Sequence, residues 1–189
     1  MENIKQKLSD VAHDWTIVGM ITLFLFGVQP KPTETLALEA KRETVVSQNL
    51  QAKQLKKVTL EKFSNAVYKP SEMLTDKQLV NLLKHVGFEG KGLKMAWAVA
   101  KKESNGRPMA YNGNRNTGDS SYGIFQINML GDLGDDRKEK FNLRSNVLLF
   151  DPVINAEITY YMTKGGTDWS SWKGLTPATK EWLNKFPKS

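Results

Sequence analysis

Glu103 is the side chain that this sequence places best for acid–base chemistry. It closes the helix-like run Gly92-Leu93-Lys94-Met95-Ala96-Trp97-Ala98-Val99-Ala100-Lys101-Lys102, and a turn-rich stretch follows. Counting back from it at helical spacing meets Ala100, Val99, Ala96 and Leu93, all apolar. Lys94, Lys101 and Lys102 fall on other faces. This one carboxylate therefore sits on the stripe the helix should bury. Burial and the negative end of the helix dipole both disfavour its ionised form. A carboxyl group that keeps its proton near neutral pH can act as a general acid. The same position also suits a last-turn Glu paired with a neighbouring lysine, so the helix pattern alone leaves both readings open.

Downstream, Glu103-Ser104-Asn105-Gly106-Arg107-Pro108 leads through an Asn- and Gly-rich loop to Gly118-Asp119-Ser120-Ser121-Tyr122-Gly123-Ile124-Phe125-Gln126-Ile127-Asn128. A Glu-Ser pair at a helix end, followed by an aromatic-Gly-apolar-apolar-Gln-Ile block, resembles the lysozyme-like lytic transglycosylases. The family block usually reads Gly-Leu-Met-Gln; here it is Gly123-Ile124-Phe125-Gln126. Asn155, Ala156 and Tyr160-Tyr161 resemble the helix that packs behind the site in that family. The resemblance runs from about Leu79 to Trp172 and implies a lysozyme-like domain, mainly α with a minimal hairpin. The family's substrate-contacting Tyr loop has no counterpart. In its place stands Gly165-Gly166-Thr167-Asp168-Trp169-Ser170-Ser171-Trp172, which is similar to modules of phage virion and tail proteins.

The implied reaction is cleavage of the MurNAc-β-1,4-GlcNAc bond of peptidoglycan, with Glu103 as acid and then base. Such a bond needs protonation of its leaving oxygen and stabilisation of an oxocarbenium-like centre. A hydrolase usually uses two carboxylates, whereas a lytic transglycosylase can use one, with the substrate's N-acetyl group as neighbouring nucleophile. The candidate second acid is Asp119, which matches an acidic position of goose-type lysozymes and equally suits an Asx-turn. Asn128 stands where those lysozymes have an aspartate. Candidate substrate-binding residues are Ser104, Tyr122, Gln126, Asn128, Trp169 and Trp172. Ser104 also suits fixing the Glu103 turn, and the two tryptophans suit a core equally well. A hydrolytic muramidase and an inactive structural or membrane-channel component are the competing readings.

The 189 residues leave room for one compact domain and an extension. With no cysteine, disulfides, thiolate metal sites and a catalytic thiol are excluded. His13 and His85 stand far apart without a ligand cluster, so no metal site and no cofactor are expected. Residues 1–70 carry 10 basic and 7 acidic side chains, and residues 71–189 carry 17 and 13. The lysines are dispersed and form no nucleic-acid motif, so the net charge of +7 suits the anionic wall, and nucleic acid is not expected as a specific partner.

Residues 1–32 hold the one strongly apolar run, at 15–28. It is short for a membrane span, which takes about 20 residues, and three readings stay open: a signal-anchor, a lipid-inserting segment, or a helix against virion or envelope-complex subunits. Residues 33–70, with no Gly or Pro before Pro70, read as a polar helical stalk. Residues 71–189 form the lysozyme-like domain, and its core is expected entirely beyond Pro70. Thr75-Asp76-Lys77-Gln78 is a capping box, Gly87 suits a helix end, and Asp151-Pro152 and Thr176-Pro177 are helix starts. The region 111–128 is the place for a small hairpin. The expected setting is a virion acting in the bacterial envelope, or a bacterial membrane anchor with the domain in the periplasm.

Overall fold

The computed structural model describes residues 32–187 except 115 and 117. The apolar run at 15–28 lies outside the described residues. Among them, no helix is long and apolar enough to cross a membrane. The chain divides into two units, residues 1–52 and 53–189.

The described elements are six α-helices and three very short strands. Helix α1 spans Pro32–Ser64, as the Gly- and Pro-free composition predicts. In the first unit its apolar side chains Leu36, Leu38, Val45, Val46 and Leu50 are exposed.

In the second unit, α2 (Asp76–Val86) opens with the expected capping box. Gln78 N donates to Thr75 Oγ1 at 3.2 Å, and Thr75 N donates back to Gln78 Oε1 at 2.9 Å. Gly87, at φ 133°, ends it with its N–H on Leu83 O. Leu79, Leu82, Leu83 and Val86 are buried, the stripe that spacings of three and four produce. Helix α3 (Gly90–Ser104) follows and is the centre of the core. Leu93, Ala96, Trp97, Ala98, Val99 and Ala100 are all buried, so it is covered almost all round.

The region 111–128 forms the expected small sheet. Strands β1 (Tyr111–Asn112), β2 (Ser121–Tyr122) and β3 (Ile127–Asn128) pair antiparallel in that order, with Tyr111 opposite Tyr122 and Ser121 opposite Asn128. Helix α4 (Gly131–Phe141), which no cap signal announced, comes next. A 3₁₀ turn over Asn146–Phe150 leads to α5 (Pro152–Met162), capped by Asp151 as expected. A second 3₁₀ turn over Ser170–Trp172 precedes α6 (Pro177–Asn184), capped by Thr176. Trp182 and Phe186 then close on Trp97 edge to face, at centroid distances of 5.9 and 5.5 Å.

One boundary differs from expectation. The core begins upstream of Pro70: Phe63 is buried within it, and Leu60 packs against it. The last turns of α1 are also tied down by Ser64 Oγ donating to Asp151 Oδ1 at 3.2 Å and by Tyr68 OH donating to Phe63 O at 3.0 Å. Burial, with Asp151 and Glu72 nearby, pushes the Tyr68 hydroxyl up to about 12. The stalk composition hid this because two apolar residues among charged ones leave no clear period. Truncating Phe63 to Ala should cost about 3 kcal/mol in denaturant unfolding of the full chain. A chain starting at residue 71 should likewise unfold at lower denaturant than one starting at Lys53. Equal midpoints would show that the last turns of α1 do not contribute.

Candidate active site

Helix α3 stops one residue after Glu103 because Asn105 takes a left-handed conformation, φ 57°, and its N–H caps Ala100 and Lys101 carbonyls. Ser104 locks that stop. It is buried; its hydroxyl donates to Ile124 O at 2.8 Å and accepts the Gly106 and Arg107 N–H groups at 3.1 and 3.2 Å. The expected substrate contact at Ser104 is therefore corrected: it holds the end of the helix to the 123–126 turn and does not line the cleft.

That turn is set by close approach. Gly123 has φ 74°, and a Cβ there would lie 2.2 Å from Leu149 O and 2.3 Å from Asn155 Nδ2. Ile124 and Phe125 plunge into the core with no exposure. Asn155, fully buried on α5, satisfies the turn from behind. It accepts Phe125 N–H at 3.0 Å and donates to Tyr122 O and Leu149 O, both at 2.9 Å.

Glu103 and Asp119 both face one cleft of about 470 Å³, lined further by Lys102, Asn112, Ser121, Gln126, Ile127, Asn128, Arg137, Met162, Ser171, Trp172 and Lys173. Its volume and mixed polar lining suit part of a sugar chain. Glu103 is less buried than its stripe predicts, with a quarter of its side chain exposed, and Lys102 Nζ stands 2.8 Å from its Oε1. The same ammonium donates to Trp172 O at 3.0 Å. The acid thus has a neighbouring lysine after all, and that lysine ties it to the second 3₁₀ turn.

Asp119 accepts from Ser121 Oγ through Oδ1 and from Asn112 Nδ2 through Oδ2, the latter at 2.9 Å. It bridges β1 and β2 at the cleft wall. Gln126, at φ 50°, gives both its amide protons to the protein, on Ala110 O at 3.1 Å and Gly123 O at 2.9 Å, which fixes its orientation at the cleft. Asn128 also lines the cleft, but its amide pins the flanking turns. Its Oδ1 accepts Ser120 and Leu130 N–H at 3.2 and 3.0 Å, and its Nδ2 donates to Gly118 O at 2.9 Å.

The aromatic candidates divide. Trp172 lines the cleft at one edge while its Nε1 donates to Phe125 O at 2.8 Å. Trp169 does not line it: it is buried, stacked on Phe88 at 6.1 Å and donating to Gly166 O. Tyr122 packs between Tyr111 and Phe150, at 4.9 and 5.4 Å, and is not part of the cleft lining either. In both cases ring packing against other aromatic side chains holds the residue away from the cleft lining.

Sequence reasoning missed the cations. Arg137 on α4 is half-buried at the cleft, donates to Asn128 O, and is held below its ordinary guanidinium range by burial. Lys173 also lines the cleft and ends the second 3₁₀ turn in a left-handed conformation, φ 59°. No period marks either residue, and the interior Gly134 of α4 reports only how the chain enters that helix. A Cβ there would strike Met129 O at 2.2 Å, so this helix must lie close against the exit of β3. Among the described residues no His or acidic cluster could hold a metal ion.

A family model described as a lysozyme-like domain matches residues 80–174, just over half of the chain. The chain belongs to the lysozyme-like domain family. No curated protein matches it. The match runs from α2 to the second 3₁₀ turn and so contains every residue lining the cleft. A lysozyme-like domain supports cleavage of glycosidic bonds of peptidoglycan, and the cleft inside the matched span is lined by two carboxyl groups, Glu103 and Asp119. Within this lysozyme-like domain, Ser104→Ala should cost about 1–3 kcal/mol of stability by orphaning buried backbone groups. It should lower turnover of peptidoglycan while leaving KM within about twofold, since Ser104 positions and does not bind. A large rise in KM at unchanged turnover would return Ser104 to the substrate-binding set.

Proposed function

We propose that the chain is a lytic transglycosylase that cleaves the MurNAc-β-1,4-GlcNAc bond with Glu103 as its acid and base. The observation that carries this reading is the difference between the two cleft carboxylates. Both oxygens of Asp119 already accept from Ser121 and Asn112. Glu103 has one oxygen held by Lys102. With Oε1 held, Oε2 is the oxygen to carry the proton towards the glycosidic oxygen. The substrate's N-acetyl oxygen then stabilises the cationic sugar carbon. Glu103, now a carboxylate, takes the proton of the 6-hydroxyl as that oxygen closes a 1,6-anhydro ring, and its starting state is restored. One positioned Glu suffices, and no water enters the products.

The second reading is a hydrolytic muramidase. The observation in its favour is that Asp119 lines the same cleft as Glu103. There it would stabilise the cation or hold water, and the products would carry reducing ends.

Glu103→Gln should lower peptidoglycan cleavage by at least the ~10²–10⁴-fold typical of general acid–base catalysis. It should leave the thermal unfolding midpoint nearly unmoved, because the amide is isosteric. Turnover within about tenfold of wild type would reject Glu103 as the proton donor. Mass spectrometry of the released fragments should find anhydro ends, one water lighter than reducing ends. Asp119→Asn should cost about tenfold or less on the transglycosylase reading. Reducing ends together with a far larger loss in Asp119→Asn would assign the muramidase mechanism.

In the same reading the activity serves a phage particle that opens the wall locally during genome entry. The likeness of residues 165–172 to virion modules supports this. The chain should then be detected among the proteins of purified particles. Its absence there would overturn the virion role and leave the enzymology standing.

A further inference from the structure

The cleft holds more positive charge than its acids use. Lys102 pairs with Glu103, and Asp119 is satisfied by neutral hydrogen bonds. Arg137 and Lys173 line the same cleft, and among the described residues neither forms an ion pair with an acid. Arg137 is half-buried and spends one donor on Asn128 O. A guanidinium has five N–H donors in a planar fork that fits a carboxylate. Placing such a cation part-way out of water costs free energy unless an anion or acceptors meet it, and burial already weighs against its charged form. Lys173 is exposed and holds a left-handed backbone that a lysine adopts at some expense. Two cations directed at one cleft, without acidic partners in the protein, fit a ligand that brings its own negative charge.

We propose that Arg137 and Lys173 form a carboxylate subsite, which makes the cleft select carboxylate-bearing muramyl glycan over neutral N-acetylglucosamine polymers. The inference rests on the glycan-cleaving reading above and adds to it the feature of the substrate that is read. The carboxylate has two sources on such a glycan: the lactyl group of a peptide-free muramic acid, or the acidic residues of the attached peptide stem. Both present the same planar anion to the fork.

The test is equilibrium binding to the full chain carrying Glu103→Gln, which separates recognition from turnover. Three probes are titrated: peptide-bearing glycan strands, strands stripped of peptide by an amidase, and neutral chito-oligosaccharides of equal length. The charged strands should bind roughly tenfold or more tightly than the chito-oligosaccharides, with the preference shrinking as salt is raised. Preference for stripped strands identifies the lactyl carboxylate; preference confined to peptide-bearing strands identifies the stem. Arg137→Gln and Lys173→Asn, each added to Glu103→Gln, should reduce the preference severalfold, and together they should bring it within about twofold. Lys173→Asn guards against misfolding, because the site is exposed and asparagine suits a left-handed residue. Equal binding of all three probes, or a preference that survives both substitutions, would overturn the subsite. Binding of none of the glycans would instead reject the glycan-cleaving reading, and the subsite with it.

Discussion

The cleft depends on one buried amide. Asn155 has no exposed surface, so each of its polar atoms must find a partner inside the protein. It finds three, and they lie on the segment 122–125 and on the 3₁₀ turn before α5. Those backbone groups are themselves buried or nearly so, and removing the side chain would orphan them together. Gly123 is the counterpart of this arrangement. Only a residue without Cβ lets the chain pass within reach of Asn155 and Leu149. Once this turn is fixed, the Ile124 carbonyl is in place for Ser104, and the Phe125 carbonyl is in place for Trp172. The end of α3, the small sheet and the second 3₁₀ turn are thus registered to one another through a single short stretch of backbone.

From that registration follows the setting of the acid. Glu103 does not need a buried pocket of its own to be held still. Its neighbour Lys102 reaches across to the Trp172 carbonyl, so the ammonium that touches the carboxylate is anchored at its far side. Trp172 is in turn fixed by its indole N–H. For the general acid proposed at Glu103, partners that are themselves fixed leave little freedom to lose on substrate binding, which is the condition for preorganised acid–base chemistry.

Much of this was legible in the sequence, and the reason differs between parts. Helix starts were readable because capping is local: Thr75 with Gln78, Asp151 before Pro152, and Thr176 before Pro177 need only their own neighbours. Glu103 and the Gly123-Ile124-Phe125-Gln126 block were singled out through the family resemblance, and Gly123 stands where close approach admits no Cβ. What was not readable depends on distant packing. Whether Trp169 or Trp172 meets the cleft is decided by Phe88 and Phe125, far away in sequence. Tyr122 is taken by Tyr111 and Phe150 for the same reason. Helix α4 has no side-chain cap and a polar sequence, so neither its existence nor the inward side of Arg137 had a periodic signature.

The distribution of fixed and unfixed polar groups in the cleft carries a last consequence. Gln126, Asn128 and Asp119 spend hydrogen bonds on the protein, so they shape the walls before any ligand arrives. The cations behave otherwise, because Arg137 keeps most of its donors and Lys173 extends from a short turn. Groups of the first kind set what shape fits; groups of the second kind reward a ligand that supplies charge. A neutral sugar can satisfy the walls, but it leaves a half-desolvated guanidinium without the anion that would offset its burial. On the subsite proposed above, discrimination between glycans falls on charge more than on the fit of the sugar ring, through two cleft residues, Arg137 and Lys173, that no sequence period singles out.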